Sequence, residues 1–322
     1  MTRRAIRPGG VLANKSVPPA SNPRRQISMD CLVGHETEVD RRARVRRSRG
    51  VRRAAVALLL AILIAPALGA EEHGAASEES TEDLAKKTQD PVADLISVPF
   101  QNNLSFGIGP RDATQWVLNV QPVVPFHLTE NWNLITRTIM PIIGQGSPAP
   151  GVDHVGGLGD INPSFFLSPA NAKHLIWGVG PTFTFPTASN RALGSGKWSA
   201  GPTAVALLMQ GPWVVGALGN NQWSFAGWGE TEVNQLLVQP FLNYNFRHGW
   251  YLSSAPIMTA NWIERARNQW TVPVGGGGGK LWRVGKVGLP VNTQVQAFYN
   301  AVTPDNGADW QLRLQLQLLF PK

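Results

Sequence analysis

Residues 95–322 predict an all-β fold, an antiparallel transmembrane β-barrel of about 12 strands, and three observations carry that prediction. Apolar and polar side chains alternate with a period of two along successive segments. The connections between these segments alternate between short and long. Tryptophans gather at the segment ends.

The alternation is clearest near the end of the chain, where Trp310, Leu312, Leu314, Leu316, Leu318 and Phe320 lie on one face and Gln311, Arg313, Gln315 and Gln317 on the other. It recurs with Leu118, Val120, Val124 and Phe126 against Asn119 and Gln121, and with Val291, Val295, Ala297 and Tyr299 against Asn292, Gln294, Gln296 and Asn300. Such runs place strands near 95–106, 115–128, 132–142, 158–168, 174–186, 197–209, 212–225, 233–246, 250–262, 270–282, 289–302 and 309–320. Nothing after residue 95 approaches 18 uninterrupted apolar residues, so spanning helices are excluded there.

Tight connections fall at 129–131, 169–173, 210–211, 247–249 and 283–288. Longer or more polar ones fall at 107–114, 143–157, 187–196, 226–232, 263–269 and 303–308. Trp132, Trp213, Trp250 and Trp282 abut the short turns, while Trp116, Trp198, Trp223, Trp262, Trp270 and Trp310 sit beside the longer loops. An indole has an apolar body and one donor and gains most at a water–lipid boundary, so two girdles are expected. A soluble β-sandwich would carry Lys and Glu on its wet strand faces, whereas here the polar face is mostly Asn, Gln, Ser, Thr and Gly.

Two features strain the pattern. Prolines at 99, 122, 141, 163, 181, 202, 240, 256 and 273 each remove a ladder donor and are expected at bulges or strand ends. Alternation from Trp270 aims Lys280 at lipid, close enough to Trp282 for its amine to snorkel, unless a bulge in the glycines at 275–279 slips the register.

Composition divides the chain. Residues 1–70 hold 14 Lys and Arg against 4 Asp and Glu, so the remaining 252 residues hold 15 against 17 and the whole-chain charge of +8 describes the leader. A basic patch on the folded part, as nucleic-acid binding requires, is therefore excluded. The single cysteine, Cys31, lies in the leader, which excludes disulfide scaffolds and thiol chemistry beyond it. Arg52 and Arg53 precede the apolar run 54–64 and then small residues, so residues 1–70 read as a leader with a signal peptide cut near Gly69 or Ala70. Residues 1–50 read as an over-extended start. Residues 71–94 read as an acidic, flexible periplasmic tether with a weak helical pattern at 82–87. Localisation in the outer membrane follows.

The segments PVADLISVPFQNN (91–103), GLGDINPSFFLSP (157–169), LIWGVGPTFTFPTA (175–188), GSGKWSAGPTAVAL (194–207), GPWVVGALGNNQWSFAG (211–227) and DWQLRLQLQLLFPK (309–322) together resemble the bacterial family named for a MetA pathway of phenol degradation. Its members are transporter-like and sometimes labelled neuromedin U. The resemblance implies an outer-membrane barrel passing small, aromatic or amphipathic compounds, and it carries over no catalytic residue. One departure is that Pro321 and Lys322 follow the terminal aromatic Phe320.

With apolar residues facing lipid, the polar ones face a lumen: Asn119, Gln121, Arg137, Asp160, Asn162, Gln294, Gln296, Arg313 and Gln315 are the candidate solute pathway, the two arginines favouring anions. The expected partners are outer-membrane lipid and a small solute. No metal, cofactor or catalytic residue is expected: His127, His154, His174 and His248 are scattered, no G-x-S-x-G elbow occurs, and the glycines at 275–279 lack the helix and Lys-Ser/Thr pair of a phosphate loop. Those glycines suit close packing beneath Trp270 or Trp282. The chain thus reads as a channel, with a plugged structural or adhesive barrel and a membrane-embedded hydrolase as alternatives.

Overall fold

The computed structural model describes residues 81–320 except 173–174, 229–230 and 286–287. The leader, the cleavage site and residues 71–80 of the expected tether lie outside the described residues. The strands are β1 (Ile96–Ile108), β2 (Ala113–Val120), β3 (Val123–His127), β4 (Trp132–Gln145), β5 (Val155–Leu158), β6 (Asn162–Pro169), β7 (Leu175–Thr184), β8 (Lys197–Gln210), β9 (Trp213–Gly227), β10 (Asn234–Asn245), β11 (Trp250–Ser254), β12 (Met258–Asn261), β13 (Trp270–Val284), β14 (Leu289–Val302) and β15 (Trp310–Phe320). All pair antiparallel. β2 with β3, β5 with β6, and β11 with β12 are single staves interrupted by short breaks, which makes a 12-stave sheet. It closes where β1 pairs β15, from Ile96 opposite Phe320 to Phe106 opposite Trp310.

The prolines follow the breaks. Pro122 and Pro256 lie within two of them. The Pro99 carbonyl accepts from Gln121 N–H, and the Pro141 carbonyl from Gly159 N–H. A strand residue's N and O point to the same neighbour, so both prolines turn their missing donors toward a break. Pro163 is the second residue of β6, one past the break, Pro273 coincides with a register shift against β14, and Pro181 faces Pro202 across β7 and β8. Pro240 faces the break between β11 and β12, since Val238 pairs Met258 and Leu242 pairs Ser254 on that side, and the even-numbered residues of β10 turn their N and O that way, as the Asn234 carbonyl accepting from Trp262 N–H shows.

Alternation sorts the side chains as expected. In β15, Leu314 and Leu316 are exposed on the outside while Arg313 and Gln317 are buried within. Lys280 points outward at the short-turn rim, its Nζ 4.2 Å from the Trp282 ring centroid and 4.8 Å from that of Trp250. A desolvated ammonium gains from such ring faces. The glycines at 275–279 do not pack beneath a tryptophan: a Cβ at Gly279 would overlap the Tyr251 hydroxyl, and one at Gly277 the Val295 carbonyl oxygen. They clear inner-face space beside β11 and let β13 lie close to β14.

The same close approach occurs at Gly201, where a Cβ would overlap the Asn221 carbonyl oxygen on β9. Gly211 is the opposite case, with a positive φ of 55° in the two-residue turn before β9 and open space around it. Asn tolerates that conformation. Gly201→Val is expected to abolish the compact, boiling-sensitive band of the folded barrel on an unheated gel, while Gly211→Asn leaves it unchanged.

Candidate functional site

The expectation of a flexible tether over 71–94 gives way, from residue 81, to a packed segment. Helix α1 (Thr81–Thr88) starts with Glu82 and Asp83 and ends with Lys86 and Lys87, charges that match its dipole at both ends. Leu84 and Ala85 are buried with Leu95 against Leu281 and Leu319, inner-face residues of β13 and β15. Val92 is buried on the other wall with Ile135, Phe166, Leu207, Val214, Leu218 and Phe241. Gln89 and Asn245 exchange hydrogen bonds of 2.8 and 3.2 Å, and Asn245 also donates to the Pro212 carbonyl, which fixes the segment at the short-turn rim. Burying each of the larger aliphatic side chains contributes roughly 1.5–3 kcal/mol. The segment is thus a plug, held by apolar patches on two walls.

Above the plug the lumen holds two cavities. The lower, about 150 Å³, is bounded by plug residues Gln89 and Asp90 together with Gln294, Gln315 and Asn292. The upper, about 450 Å³, is bounded by Asn119, Asp160, Asn162, Gln235 and apolar Phe166 and Leu237, among others. Gln101, Gln121, Arg137, Leu218 and Gln239 line both and form the waist between them.

The sequence-predicted pathway residues divide accordingly. All nine occupy the inward positions of their staves or of the break before β6. Asn119, Gln121, Arg137, Asp160, Asn162, Gln294 and Gln315 border a cavity, and Arg313 and Gln296 border neither. Arg313, expected to favour anions along the path, is a structural tie. Its Nε donates to Asn103 Oδ1 at 3.1 Å, and its Nη1 to the Ala255 carbonyl at 2.8 Å and Gln296 Oε1 at 3.3 Å. Its guanidinium lies 4.9 Å from the Phe298 ring centroid. Ala255 lies in the break between β11 and β12, so Arg313 supplies the partner that the interrupted ladder lacks there. Gln296 is fully buried and donates to Ser253 Oγ at 2.9 Å, bracing the same wall.

Asp160 borders the upper cavity, but its carboxylate is spent on the loop above it. Oδ1 accepts from Ala188 N–H at 3.1 Å, and Oδ2 from Ser195 N–H at 2.7 Å and Ser195 Oγ at 3.1 Å. That draws the loop 185–196 toward the lumen. Arg137 stands apart: among the described residues only its Nη2 is engaged, by Gln121 Oε1 at 2.6 Å.

The ten tryptophans expected in the two girdles face outward at or next to stave ends, whereas Trp228 lies in the loop after β9. Trp132, Trp213, Trp250 and Trp282 mark the short-turn rim, with edge contacts such as Trp132 to Trp177 at 6.0 Å. Trp116, Trp198, Trp223, Trp262, Trp270 and Trp310 mark the loop rim, where Trp262 meets Trp270 edge-on at 5.6 Å. Sequence reasoning missed Gln101 at the waist and the whole plug. The signal for the plug was present as apolar residues at inward positions, Leu281 and Leu319 above all, which a purely wet lumen does not call for.

The barrel is similar in fold to the COG4313 outer membrane channel from Pseudomonas putida F1, with a TM-score of 0.54 and 16% identity, covering 70% of this chain and 94% of that one. Two outer membrane phospholipases also align. The Escherichia coli enzyme does so at TM-score 0.37 and 12% identity over 70% of this chain and 96% of its own. The calcium-bound dimer from Salmonella typhi does so at 0.38 and 12%, over 74% and 96%. No protein-family model matches the chain, and no curated protein sequence matches it. The family resemblance of the motif segments therefore stands without a matching family model.

Asp90 gives the plug a pH dependence. Burial pushes its carboxyl up to about 6 against the opposing hydrogen bond from Val92 N–H, 2.9 Å away. Between the ordinary value of 3.8 and about 6, the docked plug holds a proton that a free segment does not. Docking therefore strengthens as pH falls through that window and weakens as pH rises through it. Protease protection of the segment 81–95 in the detergent-solubilised barrel is expected to increase from pH 7 to pH 4.5, and Asp90→Asn is expected to remove that dependence.

Proposed function

We propose that this chain is an outer-membrane channel for small polar or amphipathic solutes, stoppered at its short-turn end by its own segment 81–95. The observation that carries the reading is the amide-rich waist shared by both cavities, which continues a polar lining from the loop end to the plug. The outward leucines and the paired rims of indoles support a lipid surround, with the short turns and the plug on the periplasmic side. A stably plugged structural barrel is the second reading, favoured by the complete burial of Leu84 and Ala85.

Ion conductance in planar bilayers separates the two. The wild-type chain is expected to open infrequently, and Val92→Asp, which sets a charge in the apolar patch that anchors the plug, to raise the open probability at least about tenfold. A correctly folded Val92→Asp barrel that conducts nothing would sink the channel reading.

The lipid-facing surface has its own test. Leu316 lies mid-stave on the outside, so Leu316→Arg is expected to cost about 2–4 kcal/mol in urea unfolding from lipid vesicles. The same change at the neighbouring inward Gln315, which borders the lower cavity, is expected to cost less.

A further inference from the structure

We propose, building on the channel reading, that Arg137 is the centre of a lumenal site that binds small organic monocarboxylates. Arg137 sits in the middle of β4 on its inward face and borders both cavities at the waist. Its one hydrogen bond uses Nη2, and among the described residues no carboxylate pairs with it. Four of the five guanidinium donors therefore have no acceptor among the described residues, in contrast to Arg313, whose donors are engaged on three staves and at a break. A guanidinium enclosed by a protein wall without a counter-charge gains strongly from an anion that brings one.

The acidic groups that border the same cavities are already occupied. Asp160 is capped by three donors of the loop 185–196, and Asp90 accepts Val92 N–H within the plug. The charge at the waist is thus open to a solute. A single facing guanidinium matches a single carboxylate through two parallel N–H···O bonds, and Arg presents that geometry where Lys does not. Among the described residues Arg137 is the one cation lining the waist, Lys87 of the plug borders only the lower cavity, and a dianion reaching into the upper cavity would meet Asp160. Gln101, Gln121 and Gln239 surround the position with neutral amides, and the Gln239 amide makes no side-chain hydrogen bond among the described residues.

The rest of the solute is specified by the upper cavity. Ile139, Phe166, Leu218, Leu237 and Ile257 form an apolar share of its wall beside the amides. Its volume of about 450 Å³ leaves ample room for an organic body, since a dry cavity of about 150 Å³ holds benzene. The matching solute has one carboxylate at the waist and a short apolar chain or ring directed toward the loops.

Calorimetric titration of the detergent-solubilised full chain with butyrate and its neutral counterpart butyramide tests this. Butyrate is expected to bind at least about tenfold more tightly than butyramide. Arg137→Gln is expected to abolish that preference, and Arg137→Lys, which keeps the charge without the paired donors, to retain part of it. The unheated-gel band certifies that each variant is folded, and the wild-type comparison of the two probes stands without either variant. Equal binding of the two probes, absence of butyrate binding, or an unchanged preference in folded Arg137→Gln overturns the proposal. The readout is equilibrium binding, so its failure leaves conductance intact. A chain that binds butyrate yet conducts nothing as Val92→Asp overturns the channel reading and not the site.

Discussion

A sheet with no edge is the constraint from which the rest of this structure follows. Pairing β1 with β15 along eleven consecutive positions removes the two rows of backbone groups that an open sheet would leave unpaired. Once the ring is closed, each stave has one inner and one outer face, and the period of two assigns every side chain to one of them. The outer set is free to be greasy, and the inner set must either fill the ring or line a path through it. The prolines fit the same constraint. A residue without an N–H is tolerated where the facing ladder is already interrupted, which is why Pro99 and Pro141 look toward breaks and Pro122 and Pro256 lie within them.

What the sequence made legible is what depends on local periodicity. Twelve staves, their approximate limits, the two rims of indoles and the inward course of the amide side chains are all written in spacing, and the structure places them accordingly. The plug was illegible for a different reason. A helix of eight residues has too short a period to read, and the tether preceding β1 is acidic and lacks aromatics. Its anchors belong to distant staves, so Leu281 and Leu319 look like lapses in alternation until Leu84 and Leu95 are seen against them.

The two lumenal arginines show the limit of pattern reading more sharply. Both occupy inward positions, Arg137 between Thr136 and Thr138 and Arg313 between Leu312 and Leu314, and neither pair of flanks tells what the guanidinium meets. Their surroundings do. Arg313 reaches a carbonyl that the break at Ala255 leaves free, and it is further held by Asn103, Gln296 and the face of Phe298. Arg137 meets a single glutamine and open space on both sides. One guanidinium repairs the wall and the other faces the two cavities, a distinction set by tertiary contacts from staves far apart in the chain.

The seat of the plug and the waist are built of different chemistry in this lumen, and that difference governs how they can be linked. The plug is held by apolar contacts on two walls and by an amide exchange at the rim, whereas the waist presents a guanidinium and three glutamines. Removing a plug anchor therefore leaves the polar waist intact, and changing Arg137 leaves the anchors intact. Leu218 and Phe166 are the exceptions, and of the two Leu218 stands at the waist itself. It packs in the patch that receives Val92 and also borders both cavities at the waist. A side chain in a close-packed cluster cannot yield on one side without a response on the other. A solute body pressing on Leu218 at the waist, or on Phe166 in the upper cavity, bears on the seat of Val92, so any coupling between an occupied lumen and the hold on the plug passes through these two side chains.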